Sequence, residues 1–295
     1  MSSETLATAA GDNRTRGILL CVLAMLLFAS ANGFLKVALE GFAVMVTMML
    51  RLWALLFMAL VIAAMRGGVR AALRARRPVL QIARGGFLVT DQLVFTVTLL
   101  IVGLVEVSAL YATTPLMAMA LAVPILGERI TWRHWLAVGV AFAGALLIVR
   151  PGSAVFQPSS LLVLGGALMY ALYAISTRLA SRTDSHETSL LYTSLAGVVV
   201  TTPLALLDWR TGDLQAWTHL VISLALSLAA HAAVIRAYAL APAGVLQPFN
   251  YLGLAASVGI GVVFLGEHPD LIVYLGTGLI VVAGLYIAWR ESRSA

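Results

Sequence analysis

The sequence has little charge and almost no cysteine. Of its 295 residues only 11% are charged, whereas 61% are hydrophobic. A soluble domain usually carries about 25% charged residues, so a soluble chain of this composition would have too apolar a surface. The one cysteine, Cys21, excludes an intrachain disulfide. Two alternatives remain, a soluble protein with a large core and an integral membrane protein, and the arrangement of the apolar residues decides between them.

The sequence also lacks the motifs of common enzyme classes. It has no phosphate-binding loop, no His-Glu-x-x-His pattern and no cluster of cysteine and histidine. Its loops are short, so no soluble catalytic or sensory domain is predicted. We therefore expect no enzyme activity, no cofactor, no metal site and no ATPase subunit.

Long apolar runs fill most of the chain. Helices need about 20 apolar residues to cross a bilayer, and the alternating pattern of transmembrane strands does not recur. The sequence therefore predicts an all-α integral membrane protein with ten transmembrane helices. The runs are Gly17–Leu35, Phe42–Ala64, Val79–Val102, Leu104–Leu126, Trp135–Val149, Leu161–Leu179, Ser189–Leu207, Leu220–Leu240, Val245–Leu265 and Leu271–Trp289.

Positive charge is concentrated at alternate ends of these runs. Most of the nineteen lysines and arginines lie at these alternate ends, with a dense group between residues 66 and 84. Cytoplasmic loops of membrane proteins are enriched in positive residues, so both termini are predicted to be cytoplasmic. Topology explains the basic balance, and we expect contact with lipid and not with nucleic acid. The polar ends, 1–16 and 291–295, are predicted to be a disordered tail and a short C-terminal tail.

A short phrase occurs twice, half a chain apart. Leu-Gly-Glu stands at 126–128 and again at 265–267, and the helices that follow align as well. The sequence therefore predicts two related five-helix repeats, 17–150 and 157–290. Because five is odd, the second repeat would enter the membrane from the opposite side. Such inverted repeats are typical of alternating-access carriers, with one closure on each face.

The C-terminal part of the chain resembles a known family. Residues Arg236–Glu291 read RAYALAPAGVLQPFNYLGLAASVGIGVVFLGEHPDLIVYLGTGLIVVAGLYIAWRE. This segment resembles the drug/metabolite transporter (DMT) superfamily, EamA type. The first half resembles it too, through Asn32–Lys36, Arg51 and the segment from Val105. The resemblance implies a ten-helix secondary carrier of the bacterial inner membrane that exports small metabolites, amino acids foremost. Export of nucleosides, drugs or S-adenosylmethionine is the alternative. A channel or a membrane sensor remains a further possibility.

Two opposite charges lie deep within apolar runs. Arg51 is in the second run and Asp91 in the third. Ionisable groups in a membrane usually face a cavity or pair with each other. Arg51 is therefore a candidate to bind a substrate carboxylate, and Asp91 to bind an amine or couple transport to protons. The alternative is a structural pair between these two residues.

Other polar residues complete a predicted substrate-binding site. On the eighth run Ser223, Ser227, His231 and Tyr238 share one helical face. His231 is equivalent to Gln92 in the first repeat, although hydrogen bonds between helices would also explain such residues. Pro115 predicts a kink in the fourth run. The remaining candidate lining residues are Asn32, Tyr111, Tyr170, Tyr173, Gln247 and Asn250.

The two glutamates of the repeated phrase, Glu128 and Glu267, lie at the edges of apolar runs. Each follows a glycine, which commonly ends a helix. We expect each carboxylate to sit near the N-terminus of the next helix, where the helix dipole favours it.

Overall fold

The computed structural model describes the backbone of residues 3–127, 131–150, 157–240, 246, 249 and 251–294. Within these residues the chain forms twelve helices. They are α1 (Ser3–Ala38), α2 (Val44–Arg66), α3 (Val69–Ala72), α4 (Pro78–Ile101), α5 (Leu104–Tyr111), α6 (Thr114–Leu126), α7 (Trp132–Val149), α8 (Pro158–Ala180), α9 (His186–Leu207), α10 (Leu214–Leu240), α11 (Tyr251–Val263) and α12 (Leu271–Ser294).

Ten apolar helical segments correspond to the ten predicted runs. In the described part of the chain, eight segments are long and apolar enough to cross a membrane, α5 and α6 together forming one of them. Two shorter apolar segments, Tyr251–Val263 and Leu271–Ile287, follow towards the C-terminus. The helical character of the predicted spans is therefore confirmed for the residues that the structure describes.

Helix α1 continues into the polar N-terminal segment. The helix begins at Ser3, well before the apolar run predicted to begin at Gly17. Alanine is the strongest helix former, and Ala7, Ala9 and Ala10 lie in this segment without any proline. The polar segment therefore continues α1, although its apolar part begins only at Thr15.

The fourth predicted run is broken in the middle. Helix α5 ends at Tyr111 and α6 begins at Thr114. A proline ring clashes with the carbonyl group four residues earlier, and for Pro115 that residue is Tyr111. The break therefore lies where the kink was predicted.

The most extensive packing joins helices from different halves of the chain. Helix α1 packs on α10, α2 on α9, α4 on α8, and α7 on α12. The crossing of α7 and α12 is close, because a Cβ atom at Gly144 would lie 2.7 Å from the carbonyl oxygen of Gly276. Small residues allow such an approach.

Side-chain contacts identify the two ends of the bundle. At one end Arg66 pairs with Glu187 at 3.2 Å, and the backbone N–H of Arg76 donates to Asp184 at 2.8 Å. We call this the arginine-rich end.

At the other end Lys36 pairs with Glu267, and Arg150 pairs with Asp270. The hydroxyl group of Ser160 also donates to Glu106 there, at 2.8 Å. We call this the Glu267 end.

Candidate functional site

A large cavity lies inside the bundle, with a volume of about 1270 Å³. We call it the central cavity. Nine of the twelve predicted site residues line it, although they come from six different helices. These nine are Asn32, Arg51, Asp91, Gln92, Tyr111, Tyr170, Tyr173, Ser227 and His231.

The other three predicted site residues are not placed. Gln247 and Asn250 lie outside the described residues. Tyr238 belongs to α10, but its side chain also lies outside the described part of the chain.

Arg51 brings a positive charge from α2 to the central cavity. Among the described residues its side chain has no hydrogen-bond or ion-pair partner, and no oxygen of Asp91 lies within 4.0 Å of its nitrogens. The direct pair considered from the sequence is therefore not formed. An arginine without such a partner can bind a planar anion through two parallel hydrogen bonds.

Asp91 brings the opposite charge from α4. Its side chain is buried, with 5% of the residue exposed. The hydroxyl group of Tyr111 donates a hydrogen bond to Oδ1 of Asp91 at 2.8 Å. The ring of Phe95 packs edge-on against Tyr111, with 5.1 Å between the centroids.

Two further polar atoms at the cavity are buried without a hydrogen-bond partner among the described residues. They are Oε1 of Gln92 and Oγ1 of Thr114. Buried polar atoms normally have a partner, because leaving one unpaired is costly. Both residues line the cavity, so a ligand or water there could supply the missing hydrogen bonds.

Helix α10 contributes to both the cavity and the helix packing. The Ser223 hydroxyl is buried and donates to the carbonyl oxygen of Ala31 at 2.7 Å, which fastens α10 to α1. Ser227 and His231 line the cavity instead. His231 is hydrogen-bonded to the carbonyl oxygen of Ser227 at 2.8 Å and packs edge-on against Phe28. One helical face thus serves two purposes.

From its place in the dense positive group between residues 66 and 84, Arg84 was expected to belong to a cytoplasmic loop. That expectation was wrong, because only 1% of Arg84 is exposed. It lies in α4 and donates to Gln81 and Thr177, each at 3.1 Å, and to Ser189 and Thr193.

The guanidinium group of Arg84 also stands 5.3 Å from the ring centroid of Tyr173, a cavity residue. The closeness of Arg84 to the other arginines in the sequence was misleading. Helix α4 begins at Pro78, so Arg84 lies about two turns inside this helix. Its position in the helix was the available signal.

The central cavity reaches the arginine-rich end. Arg178, in the last turn of α8, and His186, the first residue of α9, line it and are exposed. At the Glu267 end, Lys36 and Glu267 form a partly buried ion pair, with 23% and 14% of their side chains exposed.

Glu267 also caps a helix, although not the one predicted. Its carboxylate accepts the backbone N–H groups of Leu104 and Val105, at 2.7 and 2.8 Å, at the start of α5. The first N–H groups of a helix have no partner inside it and favour an anion. The next helix, α12, is capped by Asp270 through the N–H of Val273 at 3.1 Å. Glu128 lies outside the described residues.

Comparison with known proteins identifies the family. The pattern of the EamA-like transporter family matches residues 15–150 and 157–289. A "Riboflavin transporter" of Vibrio cholerae is 31% identical over 63% of each chain. An "S-adenosylmethionine uptake transporter" of Rickettsia prowazekii is 26% identical over 76% of each chain. A "Probable terminal-alkyne amino-acid exporter" of Streptantibioticus cattleyicolor is 30% identical over 92% of each.

A solved crystal structure has a similar fold. Its TM-score is 0.62 at 18% identity, and the match covers 96% of this chain and all of the other. The two family matches together span nearly the whole chain, and eight helical segments within them are long and apolar enough to cross a membrane. This protein is therefore a multi-pass membrane transporter that belongs to the EamA-like family.

Proposed function

We propose that the protein is a secondary carrier that exports small metabolites, most of all amino acids, across the bacterial inner membrane. Its substrate binds in the central cavity. The carboxylate of the substrate binds Arg51, and its ammonium group binds Asp91.

The observation that carries this proposal is the pair of opposite charges at one cavity. Arg51 has no hydrogen-bond partner among the described residues, and Asp91 accepts a hydrogen bond from the hydroxyl group of Tyr111. A charge inside a membrane is costly, so a substrate that supplies the opposite charge binds favourably. A zwitterion supplies one charge of each sign.

The substrates named for two relatives agree with this reading. Terminal-alkyne amino acids and S-adenosylmethionine both carry an amino acid's ammonium and carboxylate groups. Riboflavin carries neither, although its transporter is similar over a shorter part of the chain. Because Arg51 and Asp91 carry opposite charges, the amino-acid exporter and the S-adenosylmethionine transporter are the better models for the substrate of this protein.

The shape of the central cavity supports alternating access. If the arginine-rich end is cytoplasmic, as positive residues favour, the cavity is open inwards. The Lys36 and Glu267 pair then closes the outer face. Each helix of one predicted repeat has a counterpart in the other. If every helix is exchanged for its counterpart, the four main packing pairs map onto one another. This symmetry supports the proposed inverted repeats.

The test is efflux from proteoliposomes loaded with labelled amino acids. Wild type is compared with Arg51→Ala and Asp91→Asn, and Arg70→Ala, at an exposed residue of α3, is the control. We expect saturable efflux that external substrate accelerates. It is lost in Arg51→Ala, reduced in Asp91→Asn and unchanged in the control. Folded wild type that moves no amino acid, or efflux that survives both substitutions, would reject the proposal.

A second candidate is a carrier for larger substrates that include an amino acid group, such as S-adenosylmethionine. The volume of about 1270 Å³ far exceeds the needs of a small amino acid. Aromatic pairs, including Tyr170 with Tyr173 at 5.7 Å, could stack on a ring. Competition separates the candidates: S-adenosylmethionine would inhibit efflux at lower concentration than alanine or leucine. Equal or weaker inhibition would favour simple amino acids.

A further inference from the structure

We infer that Tyr111, seated on Gly166, is the positioning residue of an ammonium subsite formed by Asp91. This inference rests on the proposed function, because it assigns one part of the same cavity. It adds two residues that act through Asp91 and states what each contributes.

The first step is the geometry of Asp91. The Tyr111 hydroxyl donates to Oδ1 at 2.8 Å and lies 3.4 Å from the main-chain oxygen of the same residue. One carboxylate oxygen is therefore engaged by a fixed donor. The other oxygen, Oδ2, has no hydrogen-bond donor among the described side chains, so it is left to accept from a ligand in the cavity.

The second step is what fixes Tyr111. Its ring is packed edge-on by Phe95, and its hydroxyl lies against the backbone of Gly166 in α8. A Cβ atom at Gly166 would come within 2.3 Å of the Tyr111 hydroxyl oxygen and within 3.2 Å of Cζ. Real Cβ atoms do not approach so closely, so any side chain at 166 would displace the hydroxyl from Asp91.

The third step is the chain around Gly166, which offers a matched control. Gly165 is its neighbour in the same helix, and a Cβ atom there would meet nothing within 4 Å. Both substitutions to alanine increase helix propensity by the same amount. A difference between them therefore reports the contact with Tyr111 and not the helix.

One neighbour needs separate treatment. Cγ1 of Val94 would lie 2.9 Å from the new Cβ at 166. The Val94→Ala substitution removes this second contact. Gly166→Ala and Gly165→Ala are therefore made in the Val94→Ala background.

The first measurement is the KM for a labelled amino acid and, by competition, the inhibition constant of the matching acid without its amino group. Tyr111→Phe is expected to raise the KM for the amino acid by about tenfold, since a hydrogen bond to a charged group is lost. The inhibition constant of the des-amino acid should change by less than about twofold. A merely structural role would weaken both ligands alike.

The second measurement is a double substitution. Gly166→Ala should raise the amino-acid KM like Tyr111→Phe, and Gly165→Ala should not. Added to Tyr111→Phe, Gly166→Ala should have little further effect, because the clashing hydroxyl is already gone. Equal effects of the two alanines, or full additivity with Tyr111→Phe, would overturn the role of Gly166. An unchanged amino-acid KM in Tyr111→Phe would overturn the inference as a whole.

A third measurement does not depend on transport. The apparent melting temperature in detergent is measured for Tyr111→Phe, Asp91→Asn and the double variant. If the hydrogen bond exists, the two effects are strongly non-additive. Non-additivity in a protein that moves no amino acid would reject the proposed function and keep the Tyr111–Asp91 contact. Additive effects in an active carrier would reject the inference alone.

Discussion

Lys36 of α1 and Glu267, just before α12, form an ion pair that joins opposite ends of the sequence. The same carboxylate accepts the first N–H groups of α5. Three segments that are distant in sequence therefore meet at one partly buried carboxylate. Removing one partner of such a pair leaves the other charge without compensation.

We predict that Glu267→Gln opens this end of the bundle. A single-cysteine variant, Ser257→Cys with Cys21→Ala, places a thiol on the cavity wall. A membrane-impermeant thiol reagent added at the Glu267 end should label it about tenfold faster in Glu267→Gln, for a loss of about 1.4 kcal/mol. Glu40→Gln, at an exposed carboxylate of the same end, is the control. Equal labelling in both variants would show that the pair does not hold the end closed.

The second prediction concerns Arg84. Replacement by lysine keeps the charge but loses the planar group that reaches Gln81, Thr177 and Thr193 together. We expect Arg84→Lys to destabilise the protein by about 2–4 kcal/mol, because buried acceptors lose their donors. The apparent melting temperature in detergent should fall clearly below that of Arg77→Lys, an exposed control. Similar values for both variants would contradict the structural role assigned to Arg84.

The third prediction concerns the crossing of α7 and α12. A Cβ atom at Gly276 would lie 2.6 Å from the carbonyl oxygen of Gly144, and backbone cannot move aside as a side chain can. We expect Gly276→Ala to destabilise the protein by about 1–3 kcal/mol, as overpacking does. Gly278→Ala in the same helix meets nothing within 4 Å and should be neutral or slightly stabilising. Melting curves of the two variants test this directly, and matching curves would refute it.

The fourth prediction is a pH effect at the Glu267 end. A hydrogen bond from the Arg150 guanidinium lowers the pKa of Asp270 below its ordinary value. The pair therefore stabilises the fold fully above pH about 4, and this contribution is lost as the pH falls through the lowered pKa. Half of the Asp270 side chain is exposed, so the contribution is at most about 1 kcal/mol.

Asp270→Asn isolates that contribution, because asparagine can still cap α12. We expect its apparent melting temperature to lie slightly below that of wild type at pH 7, and the difference to shrink as the pH falls below about 4 and through the lowered pKa. Glu40→Gln again serves as the control. A constant difference across this range would mean that the ion pair is not its source.

The sequence was most informative about what a single helix shows. Apolar runs revealed the spans, and Pro115 marked the break between α5 and α6. Deep polar residues, such as Arg51 and His231, could be identified because polar side chains are rare within transmembrane segments. These residues line one cavity. Their role as substrate-binding residues stays a prediction.

What the sequence did not reveal depends on which helices are neighbours. Glu267 caps α5 and not the following helix, because packing brings the start of α5 beside it. Arg84 was grouped with loop arginines, although its partners come from α8 and α9, about a hundred residues away. Helical periodicity defines the face on which a residue lies, but not the helix that this face meets.

The only cysteine of the sequence is a single attachment site for a fluorescent probe. The Cys21 thiol is buried, lines the central cavity and lies 3.8 Å from the carbonyl oxygen of Leu246. Since no other thiol competes for the reagent, a fluorescent maleimide on the unmodified chain would sense the cavity alone. Its labelling rate, followed as substrate is added, would show occupancy and reorientation without any engineered residue.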